Sequence, residues 1–165
     1  MNCFPFSSAI AVGVGANAIS SFGSAEDTVF MAISQVALLI LDFGQSDHND
    51  IRCSDIIKTI PVGGPSGQAD YFNAVVLTRR TSRLATLEAA LELLSKLQAL
   101  ETNFGRDRSC EQRWGPRSLD LDLLFWGELR FDHPKLVLPH PRMHLRSFVL
   151  EPLLQAMQGT HPPCW

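Results

Sequence analysis

Cysteine, lysine and tyrosine are scarce in this chain, and no basic residue precedes Arg52. The four cysteines, at positions 3, 53, 110 and 164, form no C-x-x-C pair and have no histidines at zinc-finger spacing. Neither a metal knuckle nor a disulfide framework is expected from them, but free thiols in a reducing cytoplasm. Without early positive charge the opening MNCFPFSSAIAVGVGANA lacks the first region of a secretory signal, so export is not expected. The longest strongly apolar run, TVFMAISQVALLIL at 28–41, is shorter than a bilayer span and carries Ser34 and Gln35; it reads as a packed helix. No G-x-x-x-x-G-K-S/T occurs, so any ATP site must do without a P-loop.

The net charge of -3 lacks the basic excess of a general nucleic-acid or membrane binder, so an anion site must be local. What is present is apolar: 45% hydrophobic against 19% charged in 165 residues, enough for one domain with a real core and too much for disorder.

Strand-like and helix-like segments alternate. AIAVGV (9–14) is a short β-tolerant run ending at Gly15 and Asn17, residues that suit a turn where backbone comes close to something. AEDTVFMAISQVALLILD (25–42) has acids in its first turn and apolar residues at helical spacing. IRCSDIIKTI (51–60) and YFNAVVLTRRT (71–81) read as strands paired antiparallel across the loop PVGGPSGQAD. SRLATLEAALELLSKLQALETNF (82–104) places Leu84, Leu87, Leu91 and Leu94 on one stripe, the core face of an amphipathic helix. An arginine-rich connection, 105–118, leads into the strand LDLDLLFW, the short strand LRF, the proline-punctuated DHPKLVLPHP and a last helix near 142–157. This order is that of the split βαβ arrangement: an α+β, ferredoxin-like fold, with an antiparallel sheet and helices on one face. A doubly wound parallel sheet is the alternative, and it requires the 51–81 hairpin to be wrong.

The chemistry concentrates in RWGPRSLDLDLL, residues 113–124. In a strand Asp120 and Asp122 project from one face, about 7 Å apart at Cα, while Leu119, Leu121 and Leu123 face the core. Two such carboxylates suit a hard divalent cation that keeps waters and bridges to phosphate; a solvated edge strand is the bland competitor. Leu124, Phe125 and Trp126 occupy both faces just downstream, which points to a central strand charged only at its end. Upstream, Arg106, Arg108, Arg113 and Arg117 offer guanidinium forks for phosphate oxygens, although arginine exceeds lysine eleven to three throughout. GVGANA matches the dinucleotide pattern G-x-G-x-x-A, but no acid stands at the end of a second strand, so it reads as a decoy. Among the histidines, His140 between Pro139 and Pro141 is the one to suspect. Tyr71 and Asn73 share a strand face, where Asn73 could read the edge of a heterocycle.

Together GAN, DYFNAV, E-x-x-x-GR, RWGPRSLDLDLL and LPHPRMHLRSFVLEPL resemble the 6-hydroxymethyl-7,8-dihydropterin pyrophosphokinases, over about residues 12–154. The resemblance implies transfer of pyrophosphate from ATP to a pterin alcohol, giving AMP, within folate biosynthesis. It implies that Asp120 and Asp122 hold two magnesium ions, and that the pterin lies between Tyr71 and Phe148, read by Asn73, by the backbone around Thr59 and Val62, and close to Gly15. It assigns Arg106 and Arg117 to the transferring group, and Gln98, Glu101, Arg108, Trp114, Lys135, His140 and Arg146 to holding ATP or ordering the loops around it. A monomeric, cytoplasmic, single-domain enzyme without nucleic-acid or membrane partners is expected. Ala16, Ile60 and Pro141 depart from the family pattern, and the arginine loop is one residue longer. The competing readings are a catalytically silent pterin or nucleotide binding module and an NAD-dependent reductase resting on GVGANA.

Overall fold

The computed structural model describes residues 8–109 and 115–159. Its strands are β1 (Ile10–Ala16), β2 (Ile51–Cys53), β3 (Ile57–Thr59), β4 (Tyr71–Thr78), β5 (Asp120–Trp126), β6 (Phe131–His133) and β7 (Leu136–Leu138); its helices are α1 (Ala25–Gly44), α2 (Leu87–Asn103) and α3 (Ser147–Gln158). The main sheet runs β2–β4–β1–β5, with β3 also on β4, and every pairing in it is antiparallel. The fold is the expected α+β arrangement. The expected strand over 51–60 is broken in two because Ser54 replaces a rung of the ladder: its hydroxyl accepts the Val75 N–H at 2.9 Å. The last helix begins only at Ser147, after a 3-10 turn over Met143–Leu145.

Helices cover both faces of the sheet, not one. Ile10, Val12, Val14, Ala74, Val76, Leu121 and Leu123 pack against Val29, Val36 and Ile40 of α1 and Leu93 and Leu97 of α2. Ala11, Val75, Leu77 and Leu124 pack against Val149, Leu153 and Ala156 of α3. The reason lies in β1 and β4, which are apolar on both sides and therefore need cover on both.

Each helix has a local cause. Ser24 and Asp27 form a reciprocal capping box at the start of α1, and Gln45 closes it in the left-handed region at φ 50°. By length and apolarity α1 could cross a membrane, yet its Val29–Ile40 side is core of the sheet. The second helix starts at Leu87, not 82, because the Thr86 hydroxyl accepts the Ala89 N–H as its N-cap. Its core stripe is Ala90, Leu93, Leu97 and Glu101; Leu87, Leu91 and Leu94 flank it half-buried, and Leu84 lies exposed before the helix. A helix this rich in leucine offers two adjacent stripes, and its neighbours select one.

Two further expectations change. Among the described residues β5 has one strand partner, β1, so it ends the sheet rather than lying within it. Its double-sided burial arises from the helices on either face and from a bulge: Ala11 faces Phe125 and Val12 faces Leu123, leaving Leu124 as the extra residue that turns to the α3 side. Cys53 is disulfide-bonded rather than a free thiol, since distance along the chain does not report which cysteines a fold brings together.

Candidate active site

On the face that carries α3, the helix covers the half with Ala11, Val75 and Leu77, and the other half changes character. Strand register puts Asn73, Gly15 and Asp120 in one row across β4, β1 and β5, and Val75, Gly13 and Asp122 in the next. Alternation places all these side chains on the same side. Glycine at 15 leaves the floor between Asn73 and Asp120 bare, whereas above Gly13 the Leu124 side chain stands 3.5 Å from where a Cβ would be. A Cβ on Gly15 would stand 3.1 Å from the Asn73 amide oxygen, so that row is closed to any larger residue without displacing Asn73. Asn73 is fixed in turn by donating to the Thr59 hydroxyl at 2.9 Å. Tyr71 donates its hydroxyl to the Gly115 carbonyl at 3.4 Å, tying the strand that begins the floor to the Gly-Pro turn before the aspartates. Phe148, in the first turn of α3, has the Arg146 guanidinium 5.5 Å from its ring centre.

The carboxylates sit among cations from three segments. Asp120 accepts from Arg106 at 2.6 Å and from Arg117 at 2.8 Å, one guanidinium on each oxygen. Asp122 has His140 Nε2 at 3.8 Å and Arg146 at 3.7 Å, beyond hydrogen-bond reach. The two acids differ accordingly. Burial by itself would raise the Asp120 carboxyl, but Arg117 and Arg106 outweigh it and hold the group below the usual range. Burial, and then the neighbouring Asp120 charge, push Asp122 up against the pull of His140 and Arg146. Burial also lowers the His140 imidazole, against the attraction of Asp122. The backbone N–H of His140 donates to the Leu124 carbonyl at 2.7 Å, which fixes the residue beside β5.

Behind this cluster lies Glu101, fully buried on α2. Its carboxylate accepts from Arg106, Arg108 and the Leu121 N–H, so it ties α2, the arginine segment and β5 together. Burial pushes it up, opposed by those three partners. Arg106 is nearly as buried as its partner, whereas the Arg108 side chain is 49% exposed.

Of the residues singled out in the sequence, these contacts join Gly15, Thr59, Tyr71, Asn73, Glu101, Arg106, Arg108, Arg117, Asp120, Asp122, His140, Arg146 and Phe148. Gln98, half-buried on α2, Val62, exposed before β4, and Lys135, exposed on the β6–β7 turn, take no part in them. Trp114 lies outside the described residues. Asn17, a turn former by type and given no site role in the sequence, is almost wholly buried and bonded to the arginine segment; its signals are its place in the turn directly after Gly15 and its part in the GAN motif.

The donor set can hold a divalent cation. Asp120 has used one acceptor site per oxygen of roughly four lone-pair sites on a carboxylate, and Asp122 has no hydrogen-bonded cation within reach. No group of three or more His, Cys, Asp or Glu residues comes together among the described residues. Two carboxylates alone suit a hard ion that keeps waters and takes further oxygens from a phosphate.

The model of one family, 7,8-dihydro-6-hydroxymethylpterin-pyrophosphokinase, matches residues 11–158 of the chain. A 2-amino-4-hydroxy-6-hydroxymethyldihydropteridine pyrophosphokinase of Synechocystis sp. is 37% identical over 147 residues, which is 87% of this chain and 64% of that protein. The protein of the same name from Pseudomonas aeruginosa is 43% identical over 106 residues, 61% of this chain and 60% of its own length. A folate synthesis bifunctional protein of Arabidopsis thaliana, mitochondrial, is 41% identical over 106 residues, covering 64% of this chain and 18% of that protein. The chain thus spans less than two thirds of the length of these relatives.

Proposed function

Since the chain belongs to the 7,8-dihydro-6-hydroxymethylpterin-pyrophosphokinase family, we propose that it transfers pyrophosphate from ATP to 6-hydroxymethyl-7,8-dihydropterin, with AMP as the leaving product, in folate biosynthesis. The observation that carries this reading is the row Asn73, Gly15, Asp120: a hydrogen-bonding amide, a bare floor and a carboxylate in register across three strands. A flat ring on that floor meets Asn73 at its polar edge, with Tyr71 and Phe148 as its stacking partners. Thr59 and the backbone near Val62 border the same end. Its hydroxymethyl group then points along the row toward the aspartates.

Asp120 and Asp122 are the residues that would hold magnesium, taken here as two ions. Magnesium, when bound, would neutralise phosphate oxygens and orient the triphosphate. Phosphoryl-group transfer asks the protein mainly for positioning and charge. Arg106 and Arg117, already aimed at Asp120, supply positive charge beside the transferring group. Arg108, paired to Glu101 but half exposed, is free to exchange that partner for a phosphate oxygen. Arg146 and His140 extend the positive surface on the other side of Asp122, and Gln98, Trp114 and Lys135 complete the ATP side by the family's pattern. The single-domain, monomeric, cytoplasmic reading is retained as part of this proposal; the net charge of -3 supports the absence of a nucleic-acid or membrane partner.

The test is incubation with ATP, magnesium and 6-hydroxymethyl-7,8-dihydropterin, following AMP and the pterin diphosphate by chromatography. Equal amounts of both, abolished by EDTA, are expected. A protein that binds the pterin but releases no AMP would instead be a binding module.

A further inference from the structure

Asn17 sits in the turn after β1, and its backbone and side chain bond two segments remote in sequence. The backbone N–H groups of Asn17 and Ala18 both donate to the Arg117 carbonyl at 3.0 Å. The Asn17 side-chain oxygen accepts the Arg117 N–H at 2.8 Å. Arg117 is therefore gripped by both of its backbone polar groups, which fixes the position of its Cα, and its guanidinium reaches Asp120 from there. The Asn17 amide nitrogen turns the other way and donates to Gln68 Oε1 and to the Ala69 carbonyl, each at 3.3 Å. Gln68 in turn donates to the carbonyls of Gly63, at 3.4 Å, and Pro65, at 3.2 Å. A continuous chain of bonds runs from Arg117 through Asn17 and Gln68 to the segment beside Val62.

That segment, PVGGPSGQAD, is rich in glycine, so it has much backbone entropy to lose on ordering and few side chains with which to recover it. Asn17 is 3% exposed, and a buried amide with one acceptor and two donors satisfies both neighbours at once. Aspartate would keep the acceptor and lose the donors; alanine would lose all three.

Resting on the pyrophosphokinase reading, we infer that Asn17 is a positioning residue that links the phosphate side of the site to the pterin side, setting Arg117 on one and the 63–70 loop on the other. Neither arm touches substrate through Asn17 itself. Its effect passes through Arg117 to the transfer step and through Gln68 to pterin affinity, so the two arms separate by substitution.

The experiment compares Asn17→Ala, Asn17→Asp and Gln68→Ala by steady-state kinetics and by amide hydrogen exchange at Arg117. Gln68→Ala breaks only the loop arm; it is expected to raise the KM for the pterin about fivefold, the scale of one or two lost hydrogen bonds, with kcat within about twofold of wild type. Asn17→Ala is expected to raise that KM similarly, to lower kcat by about tenfold or more, and to lose protection of the Arg117 amide. Asn17→Asp keeps an acceptor for that amide and should restore its protection. Unchanged Arg117 exchange in Asn17→Ala, or a Gln68→Ala variant with wild-type KM, would overturn the linkage. Should Asn17→Ala not fold, Asn17→Asp and Gln68→Ala still test the loop arm, since both lose bonds to that segment while the Arg117 N–H keeps its acceptor, and both should raise the pterin KM alike. Absence of AMP from wild type would sink the proposed function, while the exchange measurement would still decide the inference.

Discussion

The two faces of one sheet are built from alternate residues of the same strands, yet they do opposite things. Toward α1 and α2, β1 presents Ile10, Val12, Val14 and Ala16, all essentially out of contact with water. On the reverse side the same seven residues present Ala11, Gly13 and Gly15. The first face contributes stability through buried area, at roughly 25 cal/mol for each Å² of apolar surface removed from water. The second gives up that gain over half its extent: two glycines in mid-strand and two carboxylates contribute nothing to packing, and glycine there costs about 0.5–1 kcal/mol relative to alanine. A surface that sacrifices stability in register across three strands is where function is to be sought. The bulge at Leu124 marks the border, because it returns β5 to apolar side chains on the α3 side once the aspartates are past.

Substitutions on the open face should damage chemistry and spare the fold, and those on the covered face should do the reverse. The largest effect is expected from Asp120→Ala and Asp122→Ala, each lowering AMP formation by about 10³-fold, the scale of losing a preorganised electrostatic partner, with an unchanged circular dichroism spectrum. Leu97→Ala, on the covered face, should lower the unfolding free energy in urea by about 3 kcal/mol while leaving the pterin Kd of the folded protein unaltered. Gly15→Val puts a side chain where Asn73 already stands 3.1 Å from a Cβ; pterin Kd by fluorescence titration should rise about tenfold, roughly 1.4 kcal/mol, with little change in Tm. If Leu97→Ala weakened pterin binding as much as Gly15→Val does, the division between faces would fail.

The smallest effect concerns the capping box of α1. The Ser24 hydroxyl and N–H hold the Asp27 carboxyl below its ordinary value. A depressed acid stabilises the fold fully above its unfolded value and loses that contribution as pH falls through the folded one. The Tm difference between wild type and Asp27→Asn should therefore be present at pH 7 and shrink on acidification below the usual aspartate range.

Much of this was legible because local chemistry forces it. Alternation in LDLDLL fixes that Asp120 and Asp122 share a face, whatever the rest of the chain does. Acids at the start of 25–42 and β-branched residues in 71–81 likewise name a helix and a strand without reference to partners. Where the local pattern was degenerate it failed. Leucines at 84, 87, 91 and 94 and the stripe through Leu93 and Leu97 both have helical period, and only the presence of β5 and α1 chooses between them. Double-sided apolar character in LLFW asks for helices above and below, and leaves open whether one strand or two pair along its edges.

The sequence by itself determined most of the element types, their order and the functional groups that a candidate site can draw on, since periodicity and side-chain chemistry are properties of the residues alone. The tertiary structure alone decided that β5 ends the sheet among the described residues, that α3 lies opposite α1 and α2, and that Asn17, Gln68 and Arg117 form one chain of hydrogen bonds. Those bonds join positions 51 and 100 residues apart, and a contact over such a distance exists only once long-range burial has fixed the strands that carry it.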